Sequence, residues 1–232
     1  MKQSLKKKVI LFWKGWGYSI FIAVLIATSF KSAIADWYIV PTGSMKPTIV
    51  EGDRVFVDKL SYDLKFPYTT WHIAEWDAPQ RGAIVVFPSP IDGTRLIKRV
   101  VGIPGDSVEM QNDQLIINGK KVKYETIDQL NEQNLPVGGA SNTYRYIEDL
   151  TGAQHPVMFL PQRLAIRTFG PLIVPEGKYF MMGDNRNNSA DSRYFGFVDR
   201  SGIVGQARFV VISLDLDNHY KPRWERFFTA LL

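Results

Sequence analysis

The hydrophobic rhythm of this chain changes as it runs. Residues 15–30, GWGYSIFIAVLIATSF, are an unbroken apolar run without a charge, bracketed by Lys14 and Lys31. As a helix, sixteen residues span ~24 Å, short of a ~30 Å hydrocarbon core. Counting Ser32 to Ala35 beyond a snorkelling Lys31 brings the segment to about 20 residues, enough to cross. After Asp36 the pattern turns to short runs bounded by Gly, Pro or Asp: RVFVDKL (54–60), GAIVVF (82–87), RLIKRVV (95–101), QLIING (114–119), KYFMM (178–182) and ARFVVISLDL (207–216). These predict strands, and Asn118-Gly119 predicts a two-residue hairpin turn. The exported part therefore reads as mainly β.

Between about 124 and 172 the chain is polar and less periodic, with Gly138-Gly139 and Ser141-Asn142. The expected organisation is a basic tail (1–14), a membrane anchor (15–35), a β core formed by 36–110 with 172–216, and an inserted, smaller β/loop-rich subdomain at 111–171. At 217–232, Trp224, Phe227, Phe228, Leu231 and Leu232 fall at i, i+3, i+4, i+7 and i+8, predicting a short amphipathic helix that packs on the domain or lies on a membrane surface.

Composition narrows the function. The chain has 232 residues, 45% hydrophobic and 22% charged, ordinary for a folded domain. The net charge of +5 owes much to Lys2, Lys6, Lys7, Lys8 and Lys14. The basic excess thus sits at one end, which argues against a nucleic-acid face. With lysines preceding the apolar span, the positive-inside rule puts the amino terminus in the cytoplasm and the remainder outside. A cleavable signal peptide ending at Ala33-Ile34-Ala35 is the rival reading, and it exports the remainder equally. The absence of cysteine excludes thiol catalysis, zinc–thiolate sites and disulfides.

His72, His155 and His219 lie in separate neighbourhoods, and no H-E-x-x-H or G-x-S-x-G pattern occurs. A nucleophilic serine would therefore need another base. In WYIVPTGSMKPTIVEGDRVFV (37–57), Ser44 is either a turn residue or a nucleophile held close to a bilayer. In RLIKRVV, alternation puts Lys98 on a face with Leu96 and Val100, where desolvation would lower its pKa toward that of a usable base. A lysine in such a strand can equally snorkel outward, and Arg99 reads as the solvent residue of the pair. The run MGDNRNNSADSRYFGFV (182–198) is either a solvated loop or a buried polar network.

Taken in order, PTGSMKPTIVEGDRVFV, RGAIVVF, RLIKRVVGIPGD and GKYFMMGDNRNNSADSRYFGFV after an apolar span resemble the bacterial type I signal peptidases, membrane-bound Ser/Lys endopeptidases. The resemblance covers roughly 9–110 and 172–215. It implies an all-β core of two packed sheets with a smaller inserted domain. It also implies Ser44 as nucleophile, Lys98 as general base, and Thr42 with the Ser44 N–H as oxyanion donors. Ser189 would orient the lysine, with Asp191, Arg193, Asp184 and Arg186 in support. Tyr38, Val40, Met45, Ile49, Val55, Leu96 and Ile97 would line a pocket for small side chains. Asn187 stands where the family often has Asp.

The expected function is removal of signal peptides from exported preproteins after small residues (A-x-A), through an acyl-enzyme and without a cofactor or metal. Expected partners are signal peptides, the lipid bilayer and the protein-export machinery, with no nucleic acid. The expected location is the bacterial cytoplasmic membrane, single-pass, with the catalytic domain on the periplasmic side. A conjugation- or pilus-system peptidase with narrow substrates, or a silent membrane-tethered peptide-binding module, are the alternatives. Self-cleavage at Ala33-Ile34-Ala35 is a further possibility.

Overall fold

The computed structural model describes residues 13–69, 71–127 and 143–231. Most of the basic tail, the Gly138-Gly139 stretch and Leu232 lie outside the described residues. After a π-turn at Trp13–Gly17, helix α1 runs Tyr18–Ala33. Gly15–Ala33 is long and apolar enough to cross a membrane by length and composition. The helix stops two residues short of the expected 35, because Ala35 already pairs with Asp58 in the first strand.

The remainder is antiparallel β, in strands β1 Ala35–Ile39, β2 Asp53–Asp58, β3 Asp63–Lys65, β4 His72–Glu75, β5 Ile84–Pro88, β6 Arg95–Gly102, β7 Ser107–Gln111, β8 Gln114–Ile117, β9 Lys120–Lys121, β10 Lys123–Thr126, β11 Tyr144–Leu150, β12 Ala153–Phe159, β13 Phe169–Ile173, β14 Lys178–Met182, β15 Val198–Asp199, β16 Gly205–Asp215 and β17 Lys221–Pro222. The main sheet has the order β1-β2-β16-β5-β6-β14-β15, with β17 on β16; β13-β7-β8-β9 and β10-β11-β12 form two smaller sheets and β3-β4 a hairpin.

Period-two alternation builds the core on both faces of this sheet. In β14, Tyr179 and Met181 join Val85, Phe87 and Val100 on one face, while Phe180 and Met182 join Val101, Val108 and Leu115 on the other. A third cluster gathers Val55, Val57, Ile84, Val86 and Val210 around Met45 and Ile49. The turn between β8 and β9 has Asn118 and Gly119 both at positive φ, as a type I′ turn needs.

Two expectations change. The 110/111 boundary falls inside the β7–β8 hairpin, and Leu115, Ile117 and Leu150 share a cluster with Phe180 and Met182. The inserted segment thus packs on the core, and much of it is β, in the separate sheet β10-β11-β12 with its hairpin β11–β12. At the carboxy terminus no helix forms among the described residues beyond a 3-10 turn, Trp224–Arg226. Tertiary pairing wins there: Arg226 is buried on Asp53, Ala230 bridges to Phe209, Phe228 takes a positive φ, and Leu231 enters the core.

Candidate active site

Ser44 sits in a 3-10 turn, Gly43–Met45, entered from extended Thr42. The turn is clamped from the 182–198 run. Asn185 donates its backbone N–H to Ser44 O (3.1 Å) and its Nδ2 to Gly43 O (3.0 Å). Gly183 is required beside them, because a Cβ there would run into Ser44 O and Ser189 Oγ. The glycine that the packing demands at this turn is therefore Gly183.

Lys98, in β6, is 3% exposed, and its Nζ lies 2.6 Å from Ser44 Oγ. Burial pushes its pKa down to about 8; the Asp191 and Asp184 charges pull the other way without reversing it. Half-buried Ser44 and buried Lys98 are thus in direct contact, with no imidazole between them.

The cleft at this pair has a volume of about 340 Å³ and is lined by Tyr38, Val40, Met45, Leu96 and Ile97 among others, with Thr42 and Arg95 at its walls. Ile49 and Val55 are not on that lining; both are fully buried behind it, packed with Met45. Arg95 lies over the Tyr38 ring at 4.5 Å.

The supporting polar residues pair differently from their sequence grouping. Arg193 grips Asp191 with two bonds of 2.8 Å, and Asp191 also accepts from Gly183 N (3.1 Å). Asp184 is not paired with Arg186. It takes a bidentate guanidinium from Arg99 (2.9 and 2.8 Å) and a hydroxyl from Thr48 (2.5 Å). Arg186 binds Glu148 of β11, which also accepts from Tyr124 (2.6 Å) and lies 3.2 Å from His155. Burial alone would raise both carboxyls; Arg99 at Asp184, and Arg186 with His155 at Glu148, overcome this and hold each below the usual range. Arg99, expected in solvent, is 1% exposed, because its partner 85 residues away compensates its charge.

Ser189 is buried near Gly183, but its Oγ has no hydrogen-bond partner among the described residues, Lys98 included. Asn187 accepts from Leu160 N (2.7 Å), with its Nδ2 3.5 Å from Asp113 Oδ1. An amide can face that carboxylate, whereas Asp at 187 would set two like charges together. Ala33 is buried at the end of α1 and Ala35 is paired in β1.

Sequence reasoning passed over Glu148, His155, Thr48 and the clamp role of Asn185. Only Asn185 had a signal, its place within the 184–186 run.

A model described as signal peptidase, peptidase S26, matches residues 13–212. The chain belongs to the signal peptidase family, peptidase S26. It is 37% identical over 210 residues to signal peptidase I of Pseudomonas fluorescens, covering 85% of this chain and 72% of that one. It is 40% identical over 206 residues to signal peptidase I S of Bacillus subtilis strain 168, covering 88% and 90%. A solved signal peptidase I from Enterococcus faecalis V583 is 38% identical and covers 56% of this chain and 97% of its own; at a TM-score of 0.35 the likeness is one of sequence. As a signal peptidase this chain is a serine protease, and Ser44 is the serine that buried Lys98 touches.

Proposed function

We propose that this signal peptidase removes signal peptides from exported preproteins after small residues, A-x-A style, with Ser44 as nucleophile and Lys98 as general base. Ser44 Oγ attacks the scissile carbonyl carbon while its proton passes to Lys98 Nζ. The developing oxyanion is met by the Thr42 hydroxyl and the Ser44 N–H. The C–N bond then breaks, Lys98 returns its proton to the leaving amine, and an ester on Ser44 remains. Lys98 next takes a proton from water as it attacks that ester, and returns it to Ser44 Oγ as the C–O bond breaks, which frees the acid product and restores the neutral amine.

The observation that carries this reading is the 2.6 Å contact between a buried lysine with a pKa near 8 and the family's expected serine. A neutral amine is readily available from such a group near working pH, and an ordinary lysine provides very little of it. The cleft's apolar floor of Met45 and Ile97 fits small side chains. Its two walls are strand edges: among the described residues β1 pairs only with β2, and residues 95–98 of β6 pair with β5 while β14 bonds only from Arg99 onward. Both edges can receive an extended peptide.

Helix α1 anchors the enzyme in this reading, with the amino terminus cytoplasmic and the catalytic domain periplasmic. The substrate is then tethered in the same bilayer, delivered by the export machinery, and the short path from Ala33 to Ser44 keeps the nucleophile near the surface.

The test is cleavage of a preprotein with an Ala-x-Ala site by detergent-solubilised enzyme. Ser44→Ala and Lys98→Ala, each shown to be folded, should lose about a thousandfold or more in rate. Activity retained in folded Lys98→Ala would remove lysine from the mechanism.

A further inference from the structure

A second cavity, of about 330 Å³, opens where α1 meets the β domain, lined by Ser32, Ala33, Lys59, Lys65, Arg95 and Ser201 among others. Its charges do not balance. Asp36 is shared by Lys31 (3.4 Å) and Lys59 (3.7 Å), and Asp63 by Arg200 (2.9 Å) and Lys65 (3.8 Å). Lys59 also caps the end of α1 through Lys31 O (2.9 Å) and Ser32 O (3.1 Å). That leaves Arg95, whose guanidinium stacks on Tyr38 and has no carboxylate partner among the described residues. Burial lowers the pKa of both Lys59 and Lys65 even against the pull of Asp36 and Asp63. The excess of positive charge rests on the sharing of those two carboxylates and on unpartnered Arg95.

The neighbourhood says what anion is at hand. The β3–β4 hairpin and its flank carry Phe66, Tyr68, Trp71, Ile73 and Trp76, each more than half exposed. The loop between the strands is tied along the helix: Tyr68 N–H donates to Ser32 Oγ (2.8 Å), and the Tyr68 hydroxyl meets Thr28 Oγ1 (2.5 Å). Thr28 lies four residues, about 6 Å, further into the apolar helix than Ser32. A loop bearing Tyr and Trp at that depth occupies the membrane interface, where those side chains are favoured. The cationic cavity then stands at headgroup level.

We propose that this cavity is a binding site for the phosphate of an anionic phospholipid, held by Arg95 and Lys65 while the β3–β4 hairpin seats in the interface. A guanidinium and an ammonium donating to one phosphate give short, charge-assisted bonds. The bound lipid would fix the height of the β domain, and with it Ser44, above the bilayer. The proposal rests on α1 being a membrane anchor.

The experiment uses full-length protein in detergent, titrated with phosphatidylglycerol or phosphatidylcholine and read by native mass spectrometry. Wild type should retain phosphatidylglycerol in preference to phosphatidylcholine. Arg95→Gln, which removes an exposed side chain with one stacking contact, should weaken that retention about tenfold or more, and so should Lys65→Met. Because Arg95 also borders the active cleft, lipid retention and not cleavage is the readout. Equal retention by wild type and both folded variants would overturn the site. So would equal retention of the two lipids, or displacement of the lipid by excess inorganic phosphate, which would mark a free-anion site instead. Flotation with pure phosphatidylcholine vesicles separates the two readings. Failure to float sinks the anchor and the proposal with it, whereas flotation without selective phosphatidylglycerol retention sinks the lipid site alone.

Discussion

Lys98 and Arg99 are neighbours on one strand, both almost wholly buried, and the fold treats their charges in opposite ways. Arg99 meets Asp184 in a two-bond fork, and that carboxylate belongs to a network running through His155 and Glu148 to Arg186. Lys98 has no carboxylate within salt-bridge distance among the described residues; its near neighbour is the Ser44 hydroxyl. A buried guanidinium with a partner stays charged and builds structure. A buried ammonium without one yields its proton at lower pH, as the proposed role of Lys98 as a base requires. The difference between scaffold and chemistry lies in the compensation of charge, since burial is common to both.

The largest effect should come from breaking the compensated side. Glu148→Gln leaves Arg186 buried with a neutral partner and should cost about 3–5 kcal/mol of stability, read as a lower denaturation midpoint of the solubilised protein. Adding Arg186→Met, which removes the stranded charge, should recover part of that loss. A loss below about 1 kcal/mol in Glu148→Gln would mean that pairing does not hold this region together, and the contrast with Lys98 would fail.

This contrast also shows which parts could be read from the chain. Ser44 and Lys98 stood out through four ordered sequence blocks, and six strand runs were recognisable because alternation and flanking Gly or Asp are local signals. Arg99 was misread because its partner, Asp184, is 85 residues away, and period-two alternation carries no information on long-range compensation. Glu148 lies in a stretch whose polar composition resembled loop, yet its side chain is completely buried. The carboxy-terminal stripe had helical spacing, but Arg226 found Asp53 and the backbone found the edge of β16. Local periodicity decided the elements. Pairing across the insert decided the polar core.

An intermediate effect tests the uncompensated side. With the folded pKa of Lys98 near 8 against 10.5 for an ordinary lysine, the unfolded chain binds more protons between those values. Stability contributed at this site therefore rises with pH from about 8 to 10.5, and below 8 the penalty is present in full, about 3 kcal/mol. Folded Lys98→Met should be more stable than wild type by about that amount at pH 7, and the gap should close toward pH 10.5. In wild type, kcat/KM should climb with pH through about 8, as neutral amine accumulates. A gap independent of pH would mean that Lys98 stays protonated or is solvated in the folded state, contrary to its burial.

The smallest effect belongs to Ser189, which lies in the same polar segment but belongs to neither scheme. Its buried hydroxyl has no hydrogen-bond partner among the described residues, so Ser189→Ala removes a group whose desolvation no such bond repays, and stability should change by less than about 1 kcal/mol or rise slightly. If the hydroxyl orients the Lys98 amine during turnover, the role the family resemblance implies for it, kcat should fall about tenfold in Ser189→Ala with KM little changed, and Ser189→Thr should restore most of it. A role in packing alone would move stability and leave kcat where it was. An unchanged kcat in Ser189→Ala would show that Lys98 is aimed by its strand and by Ser44 itself, so that leaving this lysine without a counter-ion requires no additional hydroxyl to make it a base.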